Sequence, residues 1–136
     1  MPTLTRWLIR TALLWLLLAL VLGVGIVTPD RLGLPPALAG LRPTWVHFIV
    51  VGWITQLIFG VAYWMFPRHS VTHPRGLTAL GWAGYTLLNV GLVLRVTGET
   101  LTLLGHRQSL AALSAPLQMV AGWTLAAMIW PRVKEK

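Results

Sequence analysis

The chain has 136 residues, 56% of them hydrophobic and 10% charged, with a mean hydropathy of +0.71. A soluble domain of this size keeps much of its surface in water and has nowhere to hide so much apolar area, so a bilayer must supply the burial. The lack of cysteine excludes disulfides, thiolate ligands, iron–sulfur clusters and covalently attached c-type heme, and the net charge of +8 sits at the ends of apolar runs rather than in a stripe with interleaved aromatics, which argues against nucleic acid as a partner.

A crossing helix needs about 20 apolar residues, and four segments meet or approach that length. The first, 7–27, contains the unbroken run TALLWLLLALVLGVGIV. Ala37-Leu38-Ala39 resembles a signal-peptide cleavage site, but it falls well beyond the apolar core, and the first helix is expected to be retained. The stretch from Asp30 to Pro43, rich in proline and small residues, reads as a loop. The second helix, 45–66, ends at Pro67, because the residue before a proline leaves helical space. A short polar loop, PRHSVTHPRG, then forces an antiparallel hairpin with a third helix, 76–95. The fourth, 109–130, is closed by Pro131. Only helices satisfy every backbone group within one segment in lipid, so the expected fold is all-α: one antiparallel bundle of four transmembrane helices in a single domain.

Lysine and arginine placement sets the expected orientation. With the N-terminus inside, Arg6, Arg10, Arg68, Arg75, Arg132, Lys134 and Lys136 are inner, and Arg31, Arg42, Arg95 and Arg107 are outer; seven against four places both termini in the cytoplasm. Trp7, Trp45, Trp64 and Trp130 fall near the expected interfaces, as an aromatic belt does. The acidic residues, Asp30, Glu99 and Glu135, all fall outside the expected spans, which argues against carboxylate-driven proton pumping and two-carboxylate hydrolysis.

One ionisable side chain does enter an apolar span. His47 stands near the outer end of the second helix with Val51 and Ile54 beneath it, and such residues mark a ligand, a proton path or a buried partner. Neutral imidazole ligates heme iron, copper or zinc; it serves equally as a histidine bonded to a carbonyl or reaching the headgroups. Arg95 is expected at a comparable depth on the third helix, either snorkelling to lipid phosphate or neutralising a buried anion, and Arg42 is placed for the same task. His106, just before the fourth helix, is a candidate second metal ligand beside His47, whereas His69 and His73 read as solvated loop residues. Tyr85 with Asn89, Gln56 and Gln118 read as interhelical hydrogen-bonding glue. Gly81, Gly84, Gly91 and Arg95 form one seam along the third helix, and Gly52 and Gly60 flank Gln56 on the second; close helix packing is the ordinary use of such spacing, though a planar cofactor also needs the room. No nucleophile motif, phosphate loop or zinc signature is present, and the glycines of the third helix follow no strand, so they are not a dinucleotide fingerprint.

Taken together, Arg42-Pro43, His47, Gly52-Trp53, Gly60-Val61-Ala62-Tyr63 and Phe66-Pro67-Arg68, followed by Asn89-Val90-Gly91-Leu92 and Arg95, resemble one unit of the heme–copper oxidase subunit I superfamily. The likeness is nearest to the C-family oxidases, the nitric oxide reductases and the related proteins of the nitric oxide response, and it runs from 42 to 95. It implies a stand-alone four-helix unit, one third of a pseudo-threefold core subunit, with His47 as axial ligand of heme b (copper is the other metal of that family) and with Arg42 and Arg95 near the propionates. It also implies a bacterial inner-membrane location, a homo-oligomer with a trimer favoured, and a respiratory-chain partner. The family's active site needs several more histidines on its helices, so a complete oxidase or reductase is not expected of this chain alone. The resulting expectation is a heme-binding membrane protein for electron transfer or for binding oxygen or nitric oxide; the alternative is a cofactor-free structural or assembly subunit of a respiratory complex.

Overall fold

The computed structural model describes residues 1–67, 78–106 and 110–133. It is 90% helix, and the described residues contain no strand. Among the described residues, four helices are long and apolar enough to cross a membrane: α1 (Thr3–Val27), α2 (Pro36–Met65), α3 (Thr78–Leu103) and α4 (Leu110–Arg132). The chain is therefore a multi-pass membrane protein. Arg68, His69, His73, Arg75, Arg107, Lys134, Glu135 and Lys136 lie outside the described residues, as do the expected starts of the third and fourth helices.

Two boundaries differ from the sequence expectation. The stretch read as a loop is largely helical: Pro29–Leu32 makes one turn, and the 3-10 segment Pro36–Leu41 leads directly into the α-helical turn Arg42–His47. Pro36 and Pro43 each occupy a first-turn position, where the fixed proline φ suits a helix and the missing N–H is not needed. At the other end, α3 runs on past Arg95 to Leu103, which brings Glu99 inside a candidate span. Arg95 and Glu99, one turn apart, form an ion pair at 2.5 Å, so the helix carries this turn with no net charge.

Helix packing follows the glycines. A Cβ at Gly52 would lie 2.8 Å from Trp15, and one at Gly60 would lie 3.0 Å from Leu8, so these glycines let α2 lie antiparallel against α1. Along α3, a Cβ would meet Met128 from Gly81, Leu125 from Gly84, Gln118 from Gly91 and the backbone of Ala111 from Gly98. Gly98, rather than Arg95, thus completes the small-residue seam, and α4 fills it from end to end. That leaves no room in this seam for a planar cofactor. The most extensive contacts join α3 to α4 and α1 to α2, with fewer between the two pairs.

Polar side chains join the two pairs. Trp15 Nε1 donates to Asn89 Oδ1 at 2.7 Å, and Asn89 Nδ2 donates to Gln56 Oε1 at 3.0 Å and to the Tyr85 carbonyl at 2.8 Å. Gln56, fully buried, donates in turn to Thr11 Oγ1 and to the Leu8 carbonyl at 3.2 Å. The glue role expected of Asn89 and Gln56 is thereby realised, with Trp15 and Thr11 as the partners on α1. Around this network pack Leu8, Phe48, Tyr63, Leu88 and Leu92, and the Trp15 and Phe48 rings lie 4.8 Å apart.

A larger side chain at Gly98 must push α3 away from the backbone of Ala111, whereas Gly122 has nothing within 4 Å. Gly98→Val is expected to destabilise the detergent-solubilised protein by about 1–3 kcal/mol. Gly122→Val should stay within about 0.5 kcal/mol of the parent in the same thermal-unfolding measurement.

Candidate functional site

His47 ends the first α-helical turn of α2, immediately before an eight-residue π-helical segment, Phe48–Thr55, which gives way to regular α-helix at Gln56. π-Segments inside α-helices occur frequently at functional sites. The His47 ring is half-buried, and its Nδ1 lies 2.8 Å from the carbonyl oxygen of Pro43, one turn earlier. A carbonyl only accepts, so the bond requires a proton on Nδ1; in the neutral ring Nε2 then carries the lone pair. Nε2 has no hydrogen-bond partner among the described residues. An imidazole whose other nitrogen is tied to a carbonyl is the usual arrangement of a metal-ligating histidine, because that bond fixes both tautomer and ring orientation.

The register of α2 against α3 is set by two cross-links. Thr44, fully buried, donates its hydroxyl to Glu99 Oε2 near the C-terminal end of α3, and Asn89 bonds to Gln56 deeper in the bundle. Between them, His47 stands level with the Arg95–Val96 turn of α3, at the comparable depth expected from the sequence. Arg95 nevertheless has a carboxylate of its own: its guanidinium pairs with Glu99, and both side chains are partly buried. The anion that Arg95 neutralises is therefore internal to the helix.

Arg42 turns elsewhere. It is exposed and lines a groove between α1 and α2 together with Gly23 and Trp45. His47 lines neither this groove nor its neighbour. His106 is also apart from His47. It follows Gly105, whose φ of 83° is the left-handed conformation of a helix C-terminus, and the His106 and Gly105 amides bond back to the carbonyls of Leu101 and Thr102. This closing turn lies beyond Leu103, about 10 Å of helix past the level of His47 at 1.5 Å per residue, and the His106 side chain is exposed. The structure does not bring the two imidazoles to one metal, because α3 continues where the sequence reading ended it. Among the described residues, no three His, Asp or Glu side chains gather into a metal site.

Sequence reasoning assigned Arg132 only a positive-inside charge. In the fold it is 1% exposed and lies with its guanidinium carbon 5.4 Å from the Tyr63 ring centroid. Its Nη2 donates to the carbonyls of Tyr63 and Phe66 at 3.0 and 2.7 Å, and its Nε donates to that of Pro67 at 3.0 Å. A helix end leaves its last carbonyls without intrahelical donors, and Pro67 stops α2 here. Arg132 supplies those donors from α4. The pair of prolines, at 67 and 131, was the available signal that two helix ends meet on one side.

Comparison with protein-family models, with curated proteins and with solved structures gives no match to this chain.

Two consequences are measurable. Glu99→Leu leaves Arg95 without its carboxylate and Thr44 without its acceptor, and is expected to destabilise the protein by about 1–3 kcal/mol. The double variant Arg95→Leu/Glu99→Leu should recover part of that loss in the same denaturation assay. Arg132→Lys keeps the charge but not the planar fork, so it should still lower stability, by about 1–2 kcal/mol.

Proposed function

We propose that this protein binds heme b through His47 in the bacterial inner membrane, with both termini in the cytoplasm, and that it serves electron transfer or the binding of oxygen or nitric oxide. One observation carries the proposal: Nδ1 of His47 is bonded to the Pro43 carbonyl, which leaves Nε2 as an available donor atom at a half-buried position in a membrane span. The sequence pattern from Arg42 to Arg68 supports the same assignment through its resemblance to a unit of heme–copper oxidase subunit I.

The residues present fit one axial ligand and leave the rest of the pocket to be built. The two grooves of about 220 and 370 Å³ between α1 and α2 do not include His47, and the glycine seam of α3 is filled by α4. A porphyrin held at Nε2 would use neither of these spaces, and a second copy of the chain is the proposed cover. A homo-oligomer supplies that cover, and a trimer would restore the threefold ring of the family that the chain resembles. Bound there, the heme supplies a redox-active iron able to take a gas ligand. His47 would hold it, and the Pro43 carbonyl keeps the imidazole oriented.

A second function is favoured by a different observation. Arg95 is neutralised by Glu99, and the space that the α3 glycines open is occupied by α4, so this ion pair and these small residues are accounted for by packing. On that basis the chain would be a cofactor-free structural or assembly subunit of a respiratory complex.

Absorption spectroscopy separates the two. Protein purified from heme-replete cells should show a Soret band that is lost in His47→Ala with the fold retained. A colourless, metal-free preparation that co-purifies with a respiratory enzyme would establish the structural role instead.

A further inference from the structure

The C-terminal half of α1 and the N-terminal half of α2 flank Trp45. The two grooves there share Gly23, Val27 and Trp45 and form one continuous depression. Gly23 opens it: a Cβ at this position would lie 2.8 Å from Trp45 Nε1, so only glycine lets the indole edge stand this close to α1. On α1 the depression extends from Thr28 at its outer end to Ala19, and on α2 from Arg42 to Ile49. At 1.5 Å per residue that is about 14 Å of depth, close to half of the ~30 Å hydrocarbon core, or one leaflet.

Arg42 lines the mouth of this depression, exposed, and no acidic residue lines either part of the groove. Trp45 lies deeper, its Nε1 against Gly23, and the rest of the lining there is aliphatic. A cation at the mouth of an apolar channel about one leaflet deep matches a molecule with an anionic oxygen head and a hydrocarbon tail.

We infer that this groove binds one anionic phospholipid, its phosphate held by Arg42 and one acyl chain lying past Trp45 along α1 toward Ala19. The site is on a different face of α2 from His47 and stands independently of the heme assignment.

Native mass spectrometry of the full-length protein in mild detergent, with equal amounts of dioleoyl phosphatidylglycerol and dioleoyl phosphatidylcholine added, tests it. One phosphatidylglycerol per chain should be retained in preference to phosphatidylcholine. Arg42→Gln should reduce that retention about tenfold, the value of one charge-assisted contact. Arg31→Gln, an exposed cation outside the groove, should leave it unchanged, and so should His47→Ala, so that failure of the heme assignment leaves this test intact. Val24→Trp, which obstructs the channel from an exposed position, should lower retention of both lipids. Equal retention of the two lipids, or an unchanged preference in Arg42→Gln, would overturn the inference. So would a co-extracted neutral isoprenoid lipid in place of the phospholipid, or a lipid-free oligomer in which a second copy covers the groove.

Discussion

Everything in this bundle depends on one constraint: a polar group inside a bilayer has no water to bond with and must find its partner in the protein. The chain from Thr11 through Gln56 and Asn89 to Trp15 satisfies it across α1, α2 and α3 at once. The hydrogen bonds also set the geometry, because an amide that must meet another amide allows only one register between its helices. Gln56 and Asn89 fix the depth of α2 against α3, and Thr44 and Glu99 fix it again near the C-terminal end of α3. The position of His47 relative to Arg95 follows from those two contacts.

Close approach of the backbones makes such short polar contacts feasible. Without a hydrophobic driving force between helices in lipid, association rests on packing and hydrogen bonding. Gly98 lets α3 meet the backbone of α4 at Ala111, Gly81, Gly84 and Gly91 seat the side chains of Met128, Leu125 and Gln118, and Gly52 and Gly60 seat those of Trp15 and Leu8. Arg132 then closes the opposite end of the bundle by donating to the carbonyls that Pro67 leaves at the end of α2. A charge that topology rules count as an anchor is here a helix cap.

The four helices were legible in the sequence because hydropathy reports the solvent directly: a run that cannot leave its backbone unbonded in lipid must be helical. The ends were less legible where local chemistry overrides composition. Proline reads as a loop signal between 30 and 43, yet Pro36 and Pro43 stand at first-turn positions and start helical segments. Charge reads as a boundary at Arg95, yet Glu99 one turn on cancels it and α3 continues to Leu103. That error of extent is why His106 looked like a partner for His47 and is not placed as one. The π-segment after His47 has no sequence signature, and the bond from Nδ1 to Pro43 depends on a rotamer that spacing does not determine. Two of the four candidate site residues, His47 and Arg95, do come to one level of the bundle, while Arg42 faces the α1–α2 groove and His106 the exterior.

The proposed heme site is a single imidazole whose carbonyl-bound nitrogen fixes the other as a donor atom. Resonance Raman spectroscopy of the reduced, purified protein examines that atom directly through the iron–histidine stretching band. The account predicts a band that shifts when Pro43 is replaced by a residue that disturbs the carbonyl contact, and that vanishes in His47→Ala. A band that survives His47→Ala would contradict it, as would a folded wild-type protein that carries no heme at all.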